Sequence, residues 1–217
     1  MINGIRLKVC GLTSLVDAEC ADQSGADYLG FILFPASPRY VSLIQFKCMF
    51  DRLPSRNKVA VSVEPAPGEL VEMKATGFDF FQIHFRPATP IEEIKEWSRI
   101  VGPEHLWLAP KLPPESDIQQ RWLELADYCM LDTYAVDKFG GTGETGEWAK
   151  FARHQTAYPS TQWILAGGLD PNNIARAVQA SGTKFVDVAS GVEFAPGLKD
   201  HAKIKQFAAE LGKARIA

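Results

Sequence analysis

The sequence predicts a single-domain (β/α)8 barrel. Three observations lead there. Eight short apolar segments rich in β-forming residues recur along the 217 residues. Amphipathic segments of helical period lie between them. The apolar segments carry hydrophobic residues on both faces, as strands of a parallel sheet covered by helices must. Eight such units in about 200 residues make the smallest version of this architecture. A doubly wound open sheet is the competing arrangement. No linker rich in Pro, Gly or Ser, no low-complexity tract and no strong internal repeat divides the series, so one domain is expected over residues 1–217.

In chain order, the first strand is expected in IRLKVC at 5–10, followed by the helical pattern SLVDAECADQSG at 14–25. DYLGFILF at 27–34 gives the second strand, and SLIQFKCMFDRL at 42–53 the helix after it. KVAVSV at 58–63 and FDFFQIH at 78–84 are the third and fourth strands, with PIEEIKEWSRIVG at 90–102 as the next clear helix. HLWLAPK at 105–111, DYCMLD at 127–132, TQWILAG at 161–167 and KFVDVAS at 184–190 supply the remaining four strands. DHAKIKQFAAELGK at 200–213 closes the series as a helix.

Composition narrows the partners. The formal net charge is −3 and neither a basic stripe nor a run of like charges occurs, so nucleic acid and acidic lipid surfaces are not expected ligands. A small-molecule partner follows. No apolar stretch reaches the 18–20 residues or so of a membrane span, and the opening MINGIRLKVC lacks the apolar run of a signal peptide; a soluble cytoplasmic protein is expected. Cys10, Cys20, Cys48 and Cys129 show no CxxC spacing and are expected as reduced thiols, with no metal framework.

In a barrel of this kind, chemistry sits where strands end at their C-terminal side. Cys10, in KVCGLT, ends the first strand, and Asp132, in CMLDTYAVDKFGGTG, ends the sixth. A free cysteine is usually a small buried hydrophobe, and an aspartate after a strand often caps a turn. The pair has more meaning than either member. From different sides of a barrel, a thiolate and a carboxyl can face one another across the mouth, as a base and an acid must for concerted proton transfer.

Two loops carry a phosphate signal. LAGGLDPNNI at 165–174 places two glycines after the seventh strand, ahead of Asp170 as N-cap and Pro171 as the first helical residue, and ASGVE at 189–193 follows the eighth. Glycines allow backbone N–H groups close to an oxyanion, and these loops are where barrels commonly hold phosphate. GTGETG at 141–146 matches GxGxxG only formally, since it follows its strand by eight residues and no lysine comes after Gly146; it reads as a loop over the mouth. Arg39, in FPASPRYVS, offers a planar donor for an anion. Alternation puts Lys8 on the same side of its strand as Cys10, and Asp187 lies on the strand that neighbours it in a closed barrel, so an internal ion pair is expected.

KVCGLT, ADYLGFILFPASPRYVS, LDTYAVDKFGGTG, LAGGLDPNNI and VDVASGVEFAPGLKD, taken together and in order, resemble the phosphoribosylanthranilate isomerase family of tryptophan biosynthesis. The resemblance implies Cys10 as general base, Asp132 as general acid and Arg39 as the partner of a benzoate carboxylate. It implies Gly167, Gly168, Ser190 and Gly191 at the phosphate, with His84, Gly141 and Asp187 among the substrate contacts. The implied reaction is an Amadori rearrangement of N-(5-phosphoribosyl)anthranilate, run by proton transfers without metal or organic cofactor, in a monomer or homodimer. Three places depart from the family pattern: Phe85 and Arg86 follow His84 in place of glycine and an acidic residue, Gly146-Glu147-Trp148 replaces Phe-Asp-Trp, and Ala189 stands where serine is common. Two alternatives are weighed. A histidine-pathway or dual-substrate phosphosugar isomerase would be expected to use paired carboxylates, against which Cys10 counts. A binding-only phosphosugar barrel need not keep both Cys10 and Asp132.

Overall fold

The computed structural model describes residues 1–113, 115–132 and 146–214. Eight parallel strands close on themselves: β1 (Arg6–Val9), β2 (Tyr28–Ile32), β3 (Asn57–Val63), β4 (Phe80–Phe85), β5 (Leu106–Pro110), β6 (Tyr128–Leu131), β7 (Gln162–Leu165) and β8 (Phe185–Val188). The helices between and after them are α1 (Leu15–Gln23), α2 (Leu43–Phe50), α3 (Pro67–Lys74), α4 (Ile91–Val101), α5 (Gln120–Leu123), α6 (Gly146–Ala157), α7 (Ile174–Ser181) and α8 (His201–Lys213). Every expected strand is present within a few residues, in the closed form rather than the open sheet. The ring is sealed by β8 against β1, with Lys8 opposite Asp187. Among the described residues no helix is long and apolar enough to cross a membrane. All four cysteines are free, and Cys48 is exposed.

Local signals explain where the helices begin. Ser14 accepts a hydrogen bond from the Asp17 amide at the start of α1, Ser42 and Gln45 form a reciprocal capping box on α2, and Asp200 accepts from the Ala202 and Lys203 amides of α8. The regular helix α7 begins at Ile174, one turn later than the Pro171 start expected from sequence, while Asp170 makes the capping contacts expected of it. Its carboxylate accepts from the Asn172 and Asn173 amides and its carbonyl from the Ile174 amide, so the turn after Asp170 leads directly into the helix. A second element was not expected. After β8 come a single 3-10 turn, Ser190–Val192, and a small antiparallel hairpin of β9 (Glu193–Ala195) and β10 (Leu198–Lys199).

Strand alternation divides the core in two. Outward residues such as Leu7, Leu29, Phe31, Ile83, Leu108 and Val186 pack under the helices. Phe85 belongs here too, edge-on to Trp97 and Trp122, which gives the phenylalanine after His84 a packing role in the outer layer. Inward residues pack inside the ring. There Tyr28 stacks on Phe185 at 4.9 Å and meets Trp107 and Phe80 edge-on, so aromatic rings plug the N-terminal half of the barrel. Two residues further along the same strands come Lys8, Gly30, Gln82, Met130 and Asp187. A further two give Cys10, Ile32, His84 and Asp132, at the mouth.

Gly30 is the small member of that middle layer for a steric reason. A Cβ on it would lie 2.9 Å from Lys8 Cε and 3.0 Å from Lys8 Nζ. Gly30→Ala should therefore displace the lysine and destabilise the fold by about 1–3 kcal/mol, the usual cost of overpacking. Urea denaturation of the variant checks this, and an unchanged midpoint would show that the slot is not filled.

Candidate functional site

The centre of the mouth is built on β1. The Cys10 amide donates to the Val188 carbonyl at 2.8 Å, continuing the β1–β8 ladder one residue past the strand and holding the thiol at the rim. Lys8 is fully buried beneath it, its ammonium 2.9 Å from Asp187 Oδ1. The Lys8 ammonium and the Cys10 Cα each lie about 3 Å from the position a Gly30 Cβ would take, so they are close neighbours. Burial pushes the Cys10 thiol above its ordinary value; Lys8 and Lys199 pull the other way, and Asp187 adds to the rise. The expected ion pair is thus present, with the Asp187 carboxylate engaged by Lys8.

Asp132 follows β6 half-buried, on the part of the ring separated from β1 by β7 and β8. His84 is the penultimate residue of β4, its Nε2 2.8 Å from the Gln82 amide nitrogen. The bond ties the ring to Gln82, one pleat below it on the same strand. Burial, with a smaller push from the Lys8 charge, lowers the His84 pKa to about 4.

The two glycine loops meet. Gly167 and Gly168 both have positive φ, +88° and +59°, which turns their backbone in a way side-chain-bearing residues rarely adopt. The Asn173 side chain donates to the Gly168 carbonyl at 2.8 Å and fixes that turn. Gly191 sits directly on the Leu169 carbonyl, where no Cβ would fit, so the loop after β8 is pressed against the loop after β7. Ser190 is exposed beside it. Gly141 lies outside the described residues.

Arg39 reaches the same region from the loop after β2. A Cβ on Gly11 would fall 2.7 Å from its Cδ, so the stem of the arginine lies over the residue next to Cys10. Its guanidinium is gripped by Glu193, Nε to Oε1 at 2.8 Å and Nη2 to Oε2 at 2.6 Å. The same carboxylate accepts from Lys199 at 2.9 Å, and Lys199 also donates to the Ala189 carbonyl at 3.1 Å. Burial alone would raise the Glu193 pKa, but the bonds from Arg39 and Lys199 outweigh it and bring it below the usual value. Neither Glu193 nor Lys199 was singled out from sequence. The available signal was weak: two opposite charges flanking a glycine turn in VEFAPGLKD.

The neutral His84 makes stability depend on pH. Its pKa is about 4 folded against 6.5 unperturbed, so between these values the unfolded chain binds more protons. Its contribution is complete above about pH 6.5 and is lost as pH falls towards 4, by up to about 3 kcal/mol. His84→Gln should flatten that acid slope in urea titrations run from pH 7 to 4; an identical slope would mean that other groups carry it.

Comparison with known proteins places this arrangement. Residues 7–210 match the family model for N-(5'-phosphoribosyl)anthranilate (PRA) isomerase. An enzyme of that name from Zymomonas mobilis subsp. mobilis is 35% identical over 208 residues, covering 94% of this chain and 96% of the relative. The crystal structure of phosphoribosyl anthranilate isomerase from Thermotoga maritima superposes with a TM-score of 0.82 at 30% identity, over 97% of this chain and 100% of that one. A further isomerase crystal structure, in complex with reduced 1-(o-carboxyphenylamino)-1-deoxyribulose 5-phosphate, gives a TM-score of 0.78 at 29% identity over 95% of this chain and 98% of that one. With the barrel, the glycine loops and the thiol at the end of β1 all in place, the chain belongs to the N-(5'-phosphoribosyl)anthranilate isomerase family.

Proposed function

We propose that this protein isomerises N-(5-phosphoribosyl)anthranilate to 1-(2-carboxyphenylamino)-1-deoxyribulose 5-phosphate in tryptophan biosynthesis. The observation that carries the reading is the pairing, in one barrel mouth, of a thiol at the end of β1 with a carboxyl at the end of β6, beside two touching glycine loops. In the first step Asp132 gives a proton to the ring oxygen. The C1′–O bond breaks as the nitrogen lone pair forms an iminium. Cys10, as thiolate, then removes the proton on C2′, and the released electron pair flows through C1′ to nitrogen to give an enolamine. The enolamine gains a proton at C1′ and loses the one on its 2′ oxygen, leaving the ketone. The substrate has then taken one proton from Asp132 and given one to Cys10, and proton exchange with solvent resets both groups.

The remaining residues bind and orient. Backbone N–H groups around Gly167, Gly168, Ser190 and Gly191 would hold the phosphate without needing a charged side chain. Arg39 would take the benzoate carboxylate, using donors that Glu193 leaves over. A neutral His84 is suited to a hydrogen bond with the substrate rather than to a charge contact. Binding at both ends fixes C2′ near Cys10, which is how a remote phosphate contributes to the chemical step.

The reading is tested by generating phosphoribosylanthranilate in situ and following the loss of its fluorescence when the protein is added. Cys10→Ser should cut turnover by about 10²- to 10⁴-fold with binding preserved, the usual span for loss of a general base. In the wild type, kcat/KM should rise with pH through a pKa above the ordinary thiol value of about 8.5, because burial dominates the Cys10 environment and the base works only when deprotonated. A serine variant with near-normal turnover would move the base elsewhere.

Asp132→Asn keeps size and a hydrogen-bond donor but cannot release a proton, so kcat should collapse while a stable product analogue still binds. The losses in Cys10→Ser and Asp132→Asn should be strongly non-additive in the double variant, since both act on one substrate in successive steps. Melting temperature and single-turnover rate on the three variants check this. A stable Asp132→Asn protein with an unchanged single-turnover rate would remove Asp132 from the mechanism.

A further inference from the structure

The charges around Arg39 are ordered by depth. Lys199 is fully buried, Glu193 is 4% exposed and Arg39 19% exposed, so the row of positive, negative, positive runs from the interior to the mouth with the arginine as its accessible end. Without Lys199 the bidentate Arg39–Glu193 pair would be neutral, and an incoming carboxylate would meet Glu193's repulsion along with Arg39's attraction. With Lys199, the Glu193 charge is already matched from behind.

The frame is held on both sides. Thr13 donates to the Gly197 carbonyl at 3.0 Å, and a Cβ on Gly197 would lie 2.7 Å from the Pro38 carbonyl oxygen, so the β9–β10 hairpin is packed against the residue before Arg39. Nε and one hydrogen of Nη2 are committed to Glu193. The guanidinium donors left over are those of Nη1 and the outer N–H of Nη2, which together form the edge that meets a carboxylate in a paired, end-on contact.

We infer that Lys199 determines specificity for the substrate's ortho-carboxylate: by neutralising Glu193 from inside, it leaves Arg39 with an uncompensated positive charge and a fixed donor edge at the mouth. Glu193 is the positioning residue in this arrangement and Lys199 its counter-charge. The inference rests on the reading of Arg39 as the carboxylate partner and supplies what that reading lacks, a reason why an arginine already gripped by a glutamate still attracts an anion.

Lys199 also bears on Cys10, so the test uses ligands that do not react. Two are titrated calorimetrically: 1-(2-carboxyphenylamino)-1-deoxyribitol 5-phosphate and its 1-phenylamino counterpart without the carboxylate. The wild type should prefer the first by at least about tenfold, as expected for a charge-assisted paired contact. Lys199→Met should reduce that preference to about threefold or less, with affinity for the carboxylate-free ligand retained. The double variant Glu193→Gln/Lys199→Met removes one charge of each sign, restores the single positive charge of Arg39 and should recover most of the preference. A merely structural lysine predicts equal loss for both ligands and no recovery.

A folded Lys199→Met protein with wild-type preference, or a double variant no better than the single, overturns the inference. If Lys199→Met does not fold, Lys199→Gln, which keeps a donor without the charge, takes its place in the same comparison. Absence of any preference in the wild type overturns the carboxylate role of Arg39 and this inference together. Turnover of phosphoribosylanthranilate by the wild type is scored separately, and its absence would overturn the isomerase reading while the binding comparison still decides the role of Lys199.

Discussion

Lys8 holds its ammonium group inside a closed ring of strands, out of contact with solvent, against the carboxylate of Asp187 on the neighbouring strand. A charge in that position is tolerable only if it is paired at close range, and removing one partner of such a pair typically costs about 3–5 kcal/mol. The pair therefore constrains its surroundings. It fixes β8 against β1 at the seam where the barrel closes, and it requires a glycine at position 30 on the strand to the other side. It also puts a positive charge beneath Cys10, which offsets part of the penalty that burial places on the thiolate.

The barrel interior is thus graded along its axis. Aromatic rings exclude water from the N-terminal half, the ion pair occupies the middle, and thiol, imidazole and carboxyl stand at the mouth. The dry floor has an electrostatic consequence: the fields of Lys8 and Lys199 on the thiol are screened less than they would be in water. The same dryness keeps His84 neutral. Stability and electrostatics share one device here, because Lys8 and Asp187, which both act on the Cys10 thiol, also seal the ring.

The hairpin after β8 is a second frame, independent of the first. It carries Glu193 and Lys199 back over the loop after β2, where they meet Arg39, and it ends where Asp200 caps α8. The loop after β8 also presses Gly191 onto the loop after β7. The short segment after β8 so touches both the glycine loop after β7 and Arg39.

The sequence by itself determined the fold and the end of the barrel where the candidate site lies. Eight apolar segments of strand length separated by helical periods leave few ways to bury both faces of each strand, and closure into a ring satisfies them all. Cys10, Asp132 and the glycine loops stood out as candidates because barrel chemistry gathers at strand ends, Arg39 through the resemblance to the isomerase family, and the Lys8–Asp187 pair because β8 must neighbour β1 in a closed barrel. Only the tertiary structure decided what Arg39 touches. Arg39, Glu193 and Lys199 are separated by up to 160 positions in sequence, yet one carboxylate binds both cations. Nothing local to VEFAPGLKD specifies that meeting, since it depends on how a hairpin returns across the mouth. The role of Gly30 was hidden for the same reason: a glycine in a strand reads as neutral until the lysine that fills its missing Cβ is seen. Periodicity encodes which face of an element is buried, whereas the partner of a buried charge is set by contacts between segments far apart in the chain.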